Sequence, residues 1–196
     1  MRQKKELIKK ELKLNSMRKI SILLLFITLL SSCNEKLSPD DYQEISVRNI
    51  YKISVPKYMF ERDDLNNEAS LQYANLLKEA YTVVVHESKQ DFITYSRTIN
   101  AYNDQVSVLE NYSQNQINFF ENNMKLKRIE ASDFTKINKL NARKVKLKGN
   151  ELGYALCFVE GKDNLYMIMN WTRVNRLQRF ENTFEFINNS FKLIKN

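Results

Sequence analysis

Alternating apolar and polar residues mark the first predicted strands of this chain. In RNIYKISVP (48–56) Tyr51, Ile53 and Val55 alternate with polar residues and form an apolar face, and a proline ends the run. ASLQYAN (69–75) and EAYTVVVHES (79–88) are separated by a short polar stretch, and three consecutive valines favour a strand in the second. These two segments are predicted to form a hairpin.

A three-stranded meander is predicted from ARKVKLKG (142–149), ELGYALCFVEG (151–161) and NLYMIMNWT (164–172). Its turns fall at Gly149-Asn150 and at 161–164, sequences that suit a positive φ. The middle strand is apolar on both faces and should therefore be central in its sheet. One or two further strands are expected between residues 125 and 141.

Two segments have the three- and four-residue spacing of amphipathic helices. The first lies within 103–125, with Asn103 or Asp104 as the candidate N-cap. The second, RLQRFENTFEFINNSF (176–191), is the more regular, and its apolar positions are Leu177, Phe180, Phe184, Ile187 and Phe191. Together with the strands, these helices predict an α+β fold in which an antiparallel sheet is flanked by helices.

The amino-terminal segment has the pattern of a secretory signal peptide. MRK (17–19) is a short positive stretch and ISILLLFITLL (20–30) an apolar run of eleven residues. That run is about half as long as a helix that crosses roughly 30 Å of hydrocarbon. We therefore predict a signal peptide over residues 1–32. Met17 is a candidate start, which would make residues 1–16 an upstream extension; the alternative is a charged amphipathic helix over the same residues.

The end of this segment resembles the lipobox of bacterial lipoproteins. Leu30, Ser31 and Ser32 precede Cys33, matching a pattern of one hydrophobic residue, two small residues and a cysteine. The resemblance implies a diacylglyceryl thioether on Cys33, cleavage before it and acylation of the new amino group. One acyl chain anchors a protein weakly, whereas two or three hold it firmly. The alternative is an exported protein with a chance cysteine at this position.

Removal of the signal peptide changes the charge of the chain. The full sequence has a formal net charge of +8, but residues 1–33 hold eight of the 31 basic residues and two of the 23 acidic ones. From Asn34 onward 23 basic and 21 acidic residues remain, a net charge of +2. No basic stripe with interleaved aromatics remains either, so we expect no nucleic-acid partner.

The expected mature protein has two parts. Residues 33–46 form a lipidated cysteine and a polar tether, and residues 47–196 form the folded domain, which is long enough to bury a core without a metal or disulfide. Lipidation of Cys33 leaves Cys157 without a partner. Since Cys157 lies in an apolar run, we expect a small core residue rather than a reactive thiol.

Catalytic patterns are scarce in this sequence. His86 is the only histidine, and its place at the end of VVVH indicates a strand end rather than a metal ligand or a triad member. Neither of the glycine-rich phosphate-binding motifs is present. We therefore expect no cofactor, no metal and no enzymatic activity. A carboxylate pair that meets only in space, as in a glycosidase, stays open as the alternative.

Two groups of residues are candidates for partner binding. Lys144, Lys146 and Lys148 alternate along one predicted strand and should lie about 7 Å apart on one sheet face. That face is either a solvated outer surface or a contact for an anionic surface or acidic partner. The second group is Trp171 with Arg173 and Arg176, where the last strand meets the last helix. Its composition is typical of an interface hot spot, but a lone tryptophan can equally cap the core.

The order of elements resembles the PsbP-like α/β/α sandwich superfamily. The resemblance rests on YKISVP, on ASLQYAN followed by YTVVVHESKQDF, on SVLENYSQNQI, and on the ending YMIMNWTRVNRLQRFENTFEFINNSF. It covers most of residues 48–191 and brings no catalytic residues. It implies a binding or scaffolding role, which leads to an expected lipoprotein of the bacterial cell envelope, on the periplasmic or surface side of the outer membrane. The expected partners are the membrane, through Cys33, and an envelope protein or small ligand.

Overall fold

The alternation seen in the sequence becomes a set of antiparallel strands in the computed structural model, which describes residues 37–130 and 133–194. The strands are β1 (Tyr42–Val47), β2 (Tyr51–Pro56), β3 (Phe60–Glu61), β4 (Leu71–Asn75), β5 (Ala80–Ser88), β6 (Lys127–Arg128), β7 (Asp133–Ile137), β8 (Leu140–Lys148), β9 (Leu152–Glu160), β10 (Asn164–Arg173) and β11 (Lys192–Leu193). The α-helices are α1 (Lys89–Thr98), α2 (Val108–Asn123) and α3 (Leu177–Ser190). Short 3₁₀ turns occupy Pro39–Asp41 and Val174–Arg176.

The strands form two sheets. The larger sheet has eight strands in the order β3-β4-β5-β10-β9-β8-β6, and β7 also pairs with β8. The smaller sheet has the order β1-β2-β11. Every strand pair is antiparallel. The predicted hairpin of β4 and β5 and the predicted meander of β8, β9 and β10 are confirmed, and β9 is buried along almost its whole length, as a central strand should be.

Each face of the large sheet has its own layer and its own core. On one face, Phe92 of α1 and Ile117 of α2 pack against β-strand residues such as Phe158 and Leu165. On the other face, α3 and the small sheet pack together against Ala142, Ala155, Cys157 and Ile168. The fold is therefore α+β, with an antiparallel sheet between helical layers, as the sequence predicts.

Both predicted helices are present. All five apolar positions predicted for the last helix are buried: Leu177, Phe180, Phe184, Ile187 and Phe191. The first helix begins later than predicted, because Ser107 rather than Asn103 is its N-cap and accepts a hydrogen bond from the Glu110 amide at 3.1 Å. Asn103 instead donates its backbone N–H to the Asn111 side chain at 2.7 Å.

Two predicted boundaries are wrong, and one helix was not predicted. The tether was expected to run to residue 46, but Tyr42–Val47 is strand β1, hydrogen-bonded to β2 and buried at both ends. The next strand begins at Tyr51 rather than residue 48, because Arg48 and Asn49 have positive φ values and turn the chain. Helix α1 was not predicted, since it buries only Phe92 and Ser96.

The predicted positive φ values at the glycine turns are also wrong. No described glycine has a positive φ, and the left-handed positions fall instead at Arg48, Asn49, Glu79, Asn100, Lys125, Asn138 and Lys139. The glycines are instead needed because neighbouring side chains leave no room for a Cβ atom. A Cβ at Gly149 would lie 2.9 Å from a methyl group of Leu126, and one at Gly161 would lie 2.9 Å from the ring of Tyr166.

The predicted signal peptide, the lipobox and Cys33 lie outside the described residues. Within the described part of the chain, no helix combines the length and apolar character that crossing a bilayer requires.

A candidate binding cleft between strand β8 and helix α3

Strand β8 presents its lysines to helix α3. Because side chains alternate along a strand, Val145 and Leu147 face the α2 side and enter that core, whereas Lys144 and Lys146 face the opposite way. There they meet carboxylates spaced one helical turn apart, since residues four apart lie on the same side of a helix. Lys144 Nζ forms an ion pair with Glu185, and Lys146 Nζ forms one with Glu181.

Further polar groups complete this lysine–carboxylate row. Lys144 Nζ also donates to Asn189 Oδ1 at 2.8 Å, and Lys146 Nζ lies 3.1 Å from Glu130 Oε2. Partial burial alone would lower the pKa of Lys146, but hydrogen bonds from its ammonium to Glu181 and Glu130 outweigh that effect and raise it. The ammonium form of Lys146 is therefore stabilised.

The lysines share one sheet face, as predicted. For Lys144 and Lys146 that face is not a solvated outer surface, which was one of the two alternatives, because only 22% and 29% of their side-chain areas are exposed. Their acidic partner is the chain's own last helix. Lys148, at the end of β8, is exposed, and no ion pair is seen for it among the described residues.

A cleft of about 680 Å³ opens beside the row, between α3 and the strands β7, β8 and β9. Its size is within the range of small-molecule sites, roughly 300–1,000 Å³. Apolar groups, among them Ala155, Leu177 and Phe184, line it together with polar ones. The polar and charged lining residues are Glu130, Asp133, Thr135, Lys144, Lys146, Lys148, Gln178, Glu181, Asn182, Glu185 and Asn188.

Buried amides fix the position of α3 over the sheet. Asn188 lines the cleft, and its Oδ1 accepts a hydrogen bond from Asn170 Nδ2 of β10 at 2.8 Å. Asn170 Oδ1 in turn accepts from the Thr82 hydroxyl at 2.9 Å, and Asn170 Nδ2 also donates to the Ala155 carbonyl at 3.3 Å. Asn170 and Thr82 are fully buried. This network ties three strands and the helix into one rigid wall of the cleft.

The arrangement is suited to binding a small polar molecule. Its lining holds three lysines and four carboxylates, so polar groups of a ligand could accept hydrogen bonds from the lysines and donate to the carboxylates. The amides of Gln178 and Asn182 would offer both hydrogen-bond donors and acceptors. Charge-assisted hydrogen bonds of this kind are about twice as strong as neutral ones.

The second predicted group, around Trp171, lies on the opposite face of the large sheet. The Trp171 ring stacks between two cross-strand neighbours, with its centre 5.0 Å from that of Tyr81 and 6.2 Å from that of Tyr154. Arg173 Nε and Arg176 Nη1 both bind the Glu79 carboxylate, at 2.6 Å and 3.1 Å. The structure therefore does not bring Trp171 and the lysines together. Partner binding by either group stays a prediction.

Cys157 and His86, considered for reactivity in the sequence analysis, are both strand residues with apolar or aromatic neighbours. Cys157 lies fully buried among apolar side chains of the α3-side core, and burial raises the pKa of its thiol to about 12. His86 is a strand residue of β5 whose ring stacks on that of Tyr166 at 5.6 Å between centres. Burial and the nearby Arg48 lower the pKa of His86. No group of three or more metal-ligating side chains comes together among the described residues.

Several residues of the cleft were not predicted. Glu181, Glu185 and Asn188 all belong to the polar positions of the helix 176–191, to which no role was assigned from the sequence. A signal was available: two glutamates four residues apart on the helix match the alternating lysines of β8 in spacing. Nothing in the sequence showed that this helix lies against that strand.

Solved structures show what kind of fold surrounds this cleft. The solution structure of cyanobacterial PsbP (CyanoP) from Synechocystis sp. PCC 6803 matches with a TM-score of 0.57 and 10% identity, over 84% of this chain and 98% of that one. A protein of unknown function from Pseudomonas aeruginosa, PA94, described as a putative regulator, matches with a TM-score of 0.41 and 13% identity, over 74% and 91% of the two chains. The match to cyanobacterial PsbP shows that the chain has a PsbP-like fold.

The likeness is one of fold alone, because the sequences are so different. No family model and no curated protein sequence matches this chain.

Proposed function

We propose that this chain is a lipid-anchored protein of the bacterial cell envelope whose PsbP-like domain binds a small polar ligand and catalyses no reaction. The anchor is supported by the signal peptide pattern and by the lipobox that ends at Cys33. A binding role is supported by the PsbP-like fold.

The observation that carries the binding proposal is the cleft beside the lysine–carboxylate row. It combines a volume suited to a small molecule with two cations at its wall, Lys144 and Lys146, each already positioned by a carboxylate of α3. The buried network around Asn170 holds that wall in place without any ligand. A pre-formed polar cleft loses little free energy through ordering on binding.

Native mass spectrometry of the protein extracted from membranes in mild detergent tests the binding proposal. We expect an adduct with the mass of a small molecule, which is lost when Asn182→Trp fills the mouth of the cleft. Asn182 is exposed, so this substitution should not disturb the core. The matched control is Asn122→Trp, which places the same side chain on an exposed position of α2 outside the cleft. An adduct that both variants keep, or that never occurs, would contradict a ligand site here.

The anchor has a separate test. Cells are grown with a clickable fatty-acid analogue, and label should be found on the wild-type protein but not on Cys33→Ala. The variant should also accumulate as uncleaved precursor or leave the membrane fraction. Equal labelling and unchanged processing of the two proteins would contradict the proposed lipid anchor.

One observation favours the alternative, an envelope hydrolase with a carboxylate-based site. Glu130, Asp133, Glu181 and Glu185 all line the cleft. In the described structure, however, three of the four are ion-paired with lysines, which suits a binding wall better than a pair of catalytic groups. A panel of generic hydrolase substrates separates the two. Turnover that Glu181→Gln or Glu185→Gln abolishes would favour the hydrolase.

A further inference from the structure

The loop between β4 and β5 exposes large apolar side chains at its tip. Leu77 is 93% exposed and Leu76 is 55% exposed, and both stand where hairpin loops usually carry polar residues. Phe60, paired with Ala74 two residues before the tip, is 68% exposed. Single exposed apolar residues are ordinary, but three at one end of a domain form a surface that water solvates poorly.

This tip lies at the same end of the domain as the start of the fold. The Lys57 amide donates to the Asp41 carbonyl at 2.8 Å, and Asn75 Nδ2 donates to the Tyr58 carbonyl at 2.7 Å. Lys78 Nζ lies 4.6 Å from the centre of the Tyr58 ring. The chain around Tyr58 therefore bridges the first residues of the domain, before β1, and the β4–β5 loop.

Cys33 is close to this end along the sequence. The Ser38 amide donates to Asp41 Oδ2 at 2.8 Å, so Ser38 is also held at this end. Ser38 is five positions after Cys33. Even fully extended, these five steps span at most roughly 18 Å. Acyl chains on Cys33 would therefore keep this end of the domain next to the lipid.

The charges at this end are of both signs. Glu79 binds both Arg173 and Arg176, Glu151 also lies near Arg173, and Asp41 lies near Lys57. A surface of this kind is held at lipid by its apolar area rather than by attraction to anionic headgroups.

We infer that the β4–β5 tip is a second membrane contact, in which Leu76 and Leu77 insert into the interfacial region of the bilayer that carries the lipid anchor. This inference rests on the anchor proposed above. The tip fixes the orientation of the domain: the end of the sheet that carries β4–β5 faces the lipid, and the turn between β9 and β10 points away from it. Each protein would then hold its cleft at a fixed height and angle above the membrane.

Depth-dependent quenching tests the inference on the mature protein extracted from membranes and reconstituted into phosphatidylcholine vesicles. An environment-sensitive dye is attached to Leu77→Cys; Cys157 is fully buried and does not compete for it. The matched control is Lys162→Cys, an exposed position in the β9–β10 turn at the opposite end of the same sheet. Nitroxide-labelled lipid should quench the dye at residue 77 several times more than the dye at residue 162. Added salt should not change the difference.

Two outcomes would overturn the inference. Equal quenching at residues 77 and 162 would show that the tip does not enter the lipid. A dye at residue 77 that is shielded from an aqueous quencher but not quenched by nitroxide lipid would show that a protein, such as a second copy, covers the tip. Failure of the anchor itself is visible separately, because the intact mass of the purified protein would then lack the acyl chains.

Discussion

Asn170 on the central strand β10 donates a hydrogen bond to Asn188 on helix α3 at 2.8 Å, where the helix packs on the sheet. Both side chains are buried, so their polar atoms depend on hydrogen bonds within the protein such as this one. The bond sets the depth at which α3 lies on the sheet, and the position of α3 defines the cleft.

Replacing Asn188 by leucine should destabilise the domain. The change leaves Asn170 Nδ2 with only the longer bond to the Ala155 carbonyl, and a buried unpaired donor costs about 1–3 kcal/mol. Urea unfolding followed by circular dichroism measures the loss. Asn122→Leu, the same change at an exposed position of α2, should have little effect. Equal stabilities of the two variants would show that the amide pair does not hold the helix.

The ion pair between Lys144 and Glu185 should be weak and sensitive to salt. Half of the Glu185 side chain is exposed, and pairs of this kind contribute about 0.2–1 kcal/mol. A double-mutant cycle with Lys144→Met and Glu185→Gln should give a coupling in that range at low ionic strength. In molar salt, where the Debye length is about 3 Å, the coupling should fall. A coupling that stays the same in molar salt would contradict a solvent-screened pair.

The thiol of Cys157 should be inert in the folded protein. Its pKa of about 12, raised by burial, leaves almost no thiolate at neutral pH, and its side chain is not accessible. Alkylating reagents should modify it only after denaturation. The same assay counts the cysteines, because a thioether on Cys33 would leave the denatured mature protein with one reactive thiol. Cys157→Ala should then have none, whereas an unmodified Cys33 would still react.

Glu87 should make stability fall as the pH rises. Partial burial, with Glu68 and Asp91 nearby, raises the pKa of Glu87 above its ordinary value near 4.3. The folded state therefore binds this proton more tightly than the unfolded state does, and the advantage is lost as the pH rises through the folded-state pKa. Glu87→Gln should raise the melting temperature at neutral pH but not below about pH 4. The same increase at both pH values would contradict this assignment.

Glu44 should have the opposite pH dependence. Its carboxylate on β1 binds Lys192 of β11 and Lys52 of β2, at 2.5 Å and 2.8 Å, and these hydrogen bonds lower its pKa to about 2. Its contribution to stability should be present above about pH 4.3, the ordinary pKa of glutamate, and lost as the pH falls toward 2. Glu44→Gln should lower the melting temperature at neutral pH, with the difference from wild type vanishing in acid. A difference that persists in acid would point to packing rather than charge.

Periodicity predicted the elements that bury a repeated set of side chains. Helix α3 buries every apolar position assigned to it, and β9 is buried on both faces, so in each the pattern is long and regular. Strand β1 was missed because only its end residues, Tyr42 and Val47, are buried, and its polar middle looks like a tether. Helix α1 buries two residues, and its clearest signal, the Ser88 N-cap, is too common to predict a helix alone.

The cleft shows why a site is harder to predict than an element. The alternation of Lys144 and Lys146 is local and was visible in the sequence. Their partners, Glu185 and Glu181, are 41 and 35 residues away along the chain. Whether lysines face water or an acidic helix depends on which face of the sheet that helix covers, and this is decided by the whole packing arrangement rather than by either segment.

The row of Tyr81, Trp171 and Tyr154 also gives the domain a built-in optical probe. Trp171 is the only tryptophan, so all tryptophan emission of the protein comes from one position on the sheet. That position is on the face opposite the cleft, where the two flanking tyrosines are close enough to pass their excitation energy to the indole. Emission from Trp171 will therefore report whether the domain is folded, and a ligand in the cleft must be followed by other means.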